Sequence, residues 1–152
     1  MKKITFLLSL LALCCALCAA PTVHADDKAD AIKLVQDSAA FLKANGLEKA
    51  LDALNDPKGA FVKGDLYVFA YDLSGNMMAN VAKPAMVGQN VLDVPDSAGK
   101  KFRKEIIDRA QKEGSGWVDY KTLHPKTKLV EDKTTYFERA DDIVLGCGIY
   151  KK

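Results

Sequence analysis

The sequence predicts an α+β domain in which five antiparallel strands form one sheet and helices segregate onto it. Three observations lead there. Residues 66–80 carry a hairpin signature, two stretches of helical period precede it, and three consecutive strand-like stretches close the chain.

The first residues stand apart from that domain. Met1-Lys2-Lys3, the uncharged apolar run from Ile4 to Ala20 and Val23-His24-Ala25 read as a secretory signal peptide cleaved after Ala25. The run of 17 residues falls short of the roughly 20 that a spanning helix needs. Cys14, Cys15 and Cys18 follow Leu13, Cys14 and Leu17, where lipoprotein processing requires a small residue, so no membrane or lipid anchor is expected. Losing Lys2 and Lys3 brings the 22 basic side chains level with the 20 acidic ones. A neutral mature chain gives no reason to expect nucleic acid or an anionic membrane as partner. Cys147 is the one cysteine left and has no partner for an internal disulfide, so residues 26–152 fold as a single domain on their core alone.

Within the domain, Ala31, Ile32, Leu34, Val35, Ala39, Phe41 and Leu42 recur at helical spacing, with Gly46 as the stop. Leu47, Ala50, Leu51 and Leu54 repeat the pattern until Asn55-Asp56-Pro57 ends it. Leu66 to Tyr71 and Met77 to Asn80 then flank Asp72-Leu73-Ser74-Gly75-Asn76, a turn in which Gly75 supplies the positive φ. Lys83 to Pro95 has no clean period, but Met86, Val87, Val91, Leu92 and Val94 imply a connection packed against the domain. Phe102, Ile106, Ile107 and Ala110 form the buried face of the next helix, with Lys100, Lys101, Arg103 and Lys104 in water. After Gly114-Ser115-Gly116 come strands at Trp117 to Tyr120, Thr134 to Arg139 and Ile143 to Tyr150. The N-terminal helices are expected behind the sheet. The less regular segment 84–113 covers the other face and is the place for a cavity.

Catalytic chemistry is short of residues. The mature chain holds one histidine, His124, before a proline in a polar loop, and one cysteine, Cys147, between two glycines in an apolar strand. Nucleophilic catalysis by a Cys-His pair is therefore not expected. No CxxC, HExxH or CxxCH motif is present, and Gly114-Ser115-Gly116 lacks the Lys-Ser/Thr of a phosphate loop, so no metal or cofactor is expected. What remains is a set of aromatic and polar side chains along strands: Tyr67, Phe69 and Tyr71, Trp117 with Tyr120, and Thr134 with Tyr136. Aromatic residues on a sheet are more often core than site. Convergent tyrosine hydroxyls can nevertheless hold a small polar ligand, and Lys133 is the cation nearest to them in sequence.

The run Tyr67-Val68-Phe69-Ala70-Tyr71-Asp72 with Gly75, then Val87-Gly88, Gly116-Trp117-Val118-Asp119-Tyr120, Lys133 with Tyr136, and Gly146-Cys147-Gly148-Ile149-Tyr150 resembles the single Cache domains. These are extracytoplasmic sensor modules of bacterial chemoreceptors and histidine kinases. The resemblance spans residues 30–151. It implies a PAS-like antiparallel sheet with a long N-terminal helix behind it, and a pocket between the sheet and the central loop and helix. It also implies a ligand such as a small organic acid, held by Tyr67, Phe69, Asn80, Trp117, Tyr120, Lys133 and Tyr136. Family members often carry histidine where this chain has Asn80. Receptors continue into a membrane helix and a signalling domain, whereas this sequence stops at Lys152, which looks like a free-standing periplasmic relative working through a membrane receptor or kinase. A structural module without ligand, and a small periplasmic enzyme, remain as rival readings.

Overall fold

The computed structural model describes residues 25–151, and the expected signal peptide lies outside the described residues apart from Ala25. Helix α1, Ala25–Asn45, and helix α2, Leu47–Asn55, meet at Gly46, whose φ of 83° only glycine adopts without strain. Strands β1, Val62–Lys63, β2, Leu66–Asp72, and β3, Met77–Ala79, follow. A 3₁₀ turn at Pro84–Met86 leads through an irregular stretch to α3, Phe102–Glu113. Strands β4, Ser115–Leu123, β5, Val130–Ala140, and β6, Ile143–Tyr150, complete the chain. No described helix is long and apolar enough to cross a membrane.

All pairings are antiparallel, in the order β1-β2-β6-β5-β4, with β3 also on β2. The sheet therefore has six strands rather than the expected five. The added strand, β1, is two residues long, too short to show a period, and is held by a tight turn at Gly64-Asp65 that pairs Val62 with Tyr67. The β2–β3 turn follows its sequence closely. The Asp72 carboxylate accepts from the backbone N–H of Ser74 and Asn76, and a methyl group at Gly75 would stand 2.5 Å from Leu92 Cβ.

Strand alternation sorts the side chains onto two faces. Val68, Ala70, Leu145, Cys147 and Ile149 pack against Ala31, Leu34, Val35 and Leu54 of α1 and α2, the main core. Each large apolar side chain buried there contributes about 1.5–3 kcal/mol relative to exposure. On the opposite face Val118, Tyr120, Phe137 and Val144 meet Phe102, Ile106 and Ala110 of α3, while Phe69 and Tyr71 meet Val91 and Ile107. The 84–94 stretch thus covers the sheet through Met86, Val91 and Leu92, but Val87 and Val94 point outward.

The outer edge of β4 is occupied by side chains from the covering segment. Arg109 Nη1 donates to the Trp117 carbonyl at 2.7 Å, Lys100 Nζ donates to the Asp119 carbonyl at 2.6 Å, and Asp96 Oδ2 accepts from the Lys121 N–H at 2.8 Å.

Candidate functional site

A cavity of about 50 Å³ lies between the sheet and the covering segment. Its floor consists of side chains that alternation delivers to one face: Tyr67, Phe69 and Tyr71 of β2, Tyr120 of β4, Lys133 of β5 and Tyr150 of β6. Cross-strand pairing sets Tyr120 beside Lys133 and Lys133 beside Tyr150.

Two glycines make this floor possible. A methyl group at Gly146 would stand 2.5 Å from Phe69 Cζ, and one at Gly148 would stand 2.4 Å from Lys133 Cε. Phe69 and the Lys133 stem therefore lie across β6, in space that a side chain there would take. The Gly-Cys-Gly motif acts through its glycines. Cys147 faces the α1 core, where burial pushes its thiol up to about 12 and keeps it protonated.

Lys133 is 2% exposed. Its Nζ reaches the Tyr67 hydroxyl only at 3.5 Å and lies 4.4 Å from the Tyr150 ring centroid. Burial pushes its pKa down to about 8. Tyr67 and Tyr120 are held above the ordinary tyrosine range, again by burial first, so both hydroxyls stay protonated and can donate. Tyr120 shares a 3.1 Å hydrogen bond with Thr135 Oγ1 and stacks on Phe102 at 3.8 Å between ring centroids.

The covering segment adds two cations. Arg103 is buried rather than in water as its sequence neighbourhood suggested, because 103, 106, 107 and 110 share one helical face. Its Nη1 donates to the Val94 carbonyl at 3.1 Å, while its Nε is buried with no partner. Lys83 also lines the cavity, and burial and then the neighbouring Arg103 lower its pKa. Asn80 is buried at the same wall, where its Oδ1 accepts from the backbone N–H of Ala82 at 3.1 Å and of Lys83 at 2.9 Å. It thus shapes the turn that carries Lys83.

Five of the seven sequence-predicted residues, Tyr67, Phe69, Asn80, Tyr120 and Lys133, line this one cavity. Trp117 and Tyr136 do not. Trp117 is three residues from Tyr120 and Tyr136 three from Lys133, an odd spacing that places each on the opposite face. There the two rings pack at 5.4 Å, Lys28 of α1 lies over Trp117, and the Tyr136 hydroxyl donates to Glu138 at 3.1 Å. His124 does not line the cavity. Its Nδ1 accepts from the backbone N–H of Lys126 and Thr127, and its ring rests on Tyr150 at 4.1 Å, so it shapes the loop at the rim.

The arrangement can do one thing well. Three cations, buried hydroxyl donors and no Asp or Glu in the lining are the chemistry that would suit an anion, in a space far below the roughly 300–1,000 Å³ of drug-sized sites.

The chain is similar to known sensor domains. The profile of the single Cache domain 2 family matches residues 28–152. A methyl-accepting chemotaxis protein from Vibrio parahaemolyticus is similar at 25% identity and a TM-score of 0.69, over 82% of this chain and 88% of that one. A periplasmic sensor domain of a chemotaxis protein is similar at 24% identity and a TM-score of 0.63, over 80% and 88%. A Cache chemosensory domain described for its carboxylic acid recognition is similar in fold, at 22% identity and a TM-score of 0.68 over 85% and 99%. No curated protein matches the chain.

Proposed function

Because the chain belongs to the single Cache domain 2 family, we propose that it is an exported ligand-sensing protein that binds a small organic acid and passes the binding event to a membrane receptor or kinase. The observation that carries this reading is a cavity lined by Arg103, Lys133 and Lys83 and by no acidic side chain, with the Arg103 Nε buried and without a partner. A buried guanidinium N–H costs free energy until it meets an acceptor, and a carboxylate is the acceptor whose planar geometry matches it. Lys133 supplies a second charge, and the Tyr67 hydroxyl a neutral donor. Carboxylic acid recognition by a Cache domain of like fold is consistent with this chemistry.

The mechanism follows from which elements the ligand joins. Arg103 rides on α3 and Lys133 on β5, so an anion held by both adds an attraction between cover and sheet that is absent when the cavity is empty. Its differential affinity for the closed arrangement is what a partner would read. Cys147 and His124 stand apart from the cavity lining, which favours binding over turnover. In the exported form, residues 1–25 are the signal and 26–152 the binding unit. Intact mass of the periplasmic protein tests that boundary, with a chain starting at Asp26 expected and one retaining the leader or an acyl chain refuting it.

Thermal melting of the exported protein against a panel of organic acids and amino acids tests the function. A ligand at a hundred times its dissociation constant adds about 2.7 kcal/mol to the folded state, a rise of roughly 5–10 °C. No shift across a broad acid panel, at millimolar ligand, rejects the reading.

A further inference from the structure

The cavity carries more positive charge than one carboxylate neutralises. Lys83 comes from the segment after β3, Arg103 from α3 and Lys133 from β5, and all three line the same space. None belongs to an ion pair among the described residues. Lys83 and Arg103 repel each other, as do Lys83 and Lys133. Asp65, which also acts on Lys133, is not in the lining, and its carboxylate is paired with Lys126 at 2.5 Å.

The Lys83 backbone is fixed, although the residue is exposed on the solvent side of the cavity lining. Asn80 Oδ1 holds its backbone N–H at 2.9 Å, and Pro84 begins the 3₁₀ turn directly after it. The cavity, about 50 Å³, admits only a short molecule. Arg103 and Lys133 are buried while Lys83 is exposed and partly screened, and a second negative group relieves the repulsion that remains between Lys83 and the buried pair. We propose that the site selects a short organic dianion, a dicarboxylate of the size of oxalate or malonate, and that Lys83 is the residue that reads its second charge. One carboxylate meets Arg103 and Lys133, and the second meets Lys83. This rests on the anion-binding reading above and gives the ligand its charge and length.

Malonate and its monoamide, malonamate, share one heavy-atom skeleton and differ by one charge, which makes them the probes. Calorimetric titration of the exported protein at neutral pH, with propionate as a third ligand, is expected to rank malonate at least about tenfold tighter than either monoanion. Lys83→Met should bring malonate down to the affinity of malonamate while leaving malonamate within about twofold, and Lys83→Arg should restore most of the difference. Melting curves without ligand confirm that both variants fold. Malonamate or propionate binding as tightly as malonate overturns the dianion proposal and leaves the carboxylate reading standing, as does an equal loss for both ligands in Lys83→Met. Silence of all three probes and of the wider acid panel removes both.

Discussion

Lys133 Cε passes within 2.4 Å of where a Gly148 side chain would begin, so the absence of one atom on β6 decides where the cation of β5 lies. Gly148→Ala should therefore displace Lys133, together with Thr135 Oγ1 at 2.7 Å from the same point. Overpacking of this kind costs about 1–3 kcal/mol of stability. The expected signature is an affinity loss for the acid ligand larger than the stability loss, measured by titration beside chemical denaturation. Unchanged affinity would mean that Lys133 reaches the ligand by another path.

The depressed pKa of Lys133, about 8 against 10.5 for the free side chain, fixes a pH dependence. Between those values the unfolded chain binds the proton that the folded chain has released, so stability rises with pH from about 8 to 10. The full shift corresponds to roughly 3 kcal/mol, and Lys133→Met should abolish that part of the rise. Ligand affinity behaves oppositely. For a ligand whose carboxyls are already fully ionised, it is expected to be flat from about pH 5.5 to 7.5 and to fall above about 8 as the amine loses its charge. Proton uptake on binding near pH 8, read from titrations in buffers of different ionisation enthalpy, checks it.

The two aromatics on the helix side make negative controls. Tyr136→Phe removes a hydrogen bond to Glu138 and should cost about 0.5–1.5 kcal/mol of stability without touching ligand affinity. Tyr67→Phe should weaken binding by a comparable amount. Parallel titrations of the two variants would expose a wrong assignment of faces if the ligand responded to Tyr136.

Asn80→Ala tests the turn. It removes the acceptor for two backbone N–H groups, an expected loss of about 1–3 kcal/mol in denaturant unfolding, and frees Lys83 from its position. Asn80→His can restore one acceptor through a ring nitrogen and should bring a pH dependence near neutrality that the natural protein lacks.

These residues also mark how far the sequence could be read. The β2–β3 hairpin was legible because turn chemistry and alternation are local, and the two-layer order followed from element succession. The aromatic floor was legible at Tyr67 and Phe69, two residues apart. It was misread at Trp117 and Tyr136, where nearness in sequence stood in for the period of two. Tyr150 and the glycines gain their meaning only through pairing with β5 and β2, which no local window contains. Arg103 was legible in principle, since its spacing to Ile106, Ile107 and Ala110 is helical, yet a basic run masked it. Lys83 sits in a segment without period and had no sequence signal.

The side chains along the edge of β4 bear on how the domain avoids its own kind. Arg109, Lys100 and Asp96 engage backbone groups that a foreign strand would need for pairing. An exposed strand edge is the usual template for aggregation and domain swapping. The domain thus carries its own guard against growing its sheet into a neighbour.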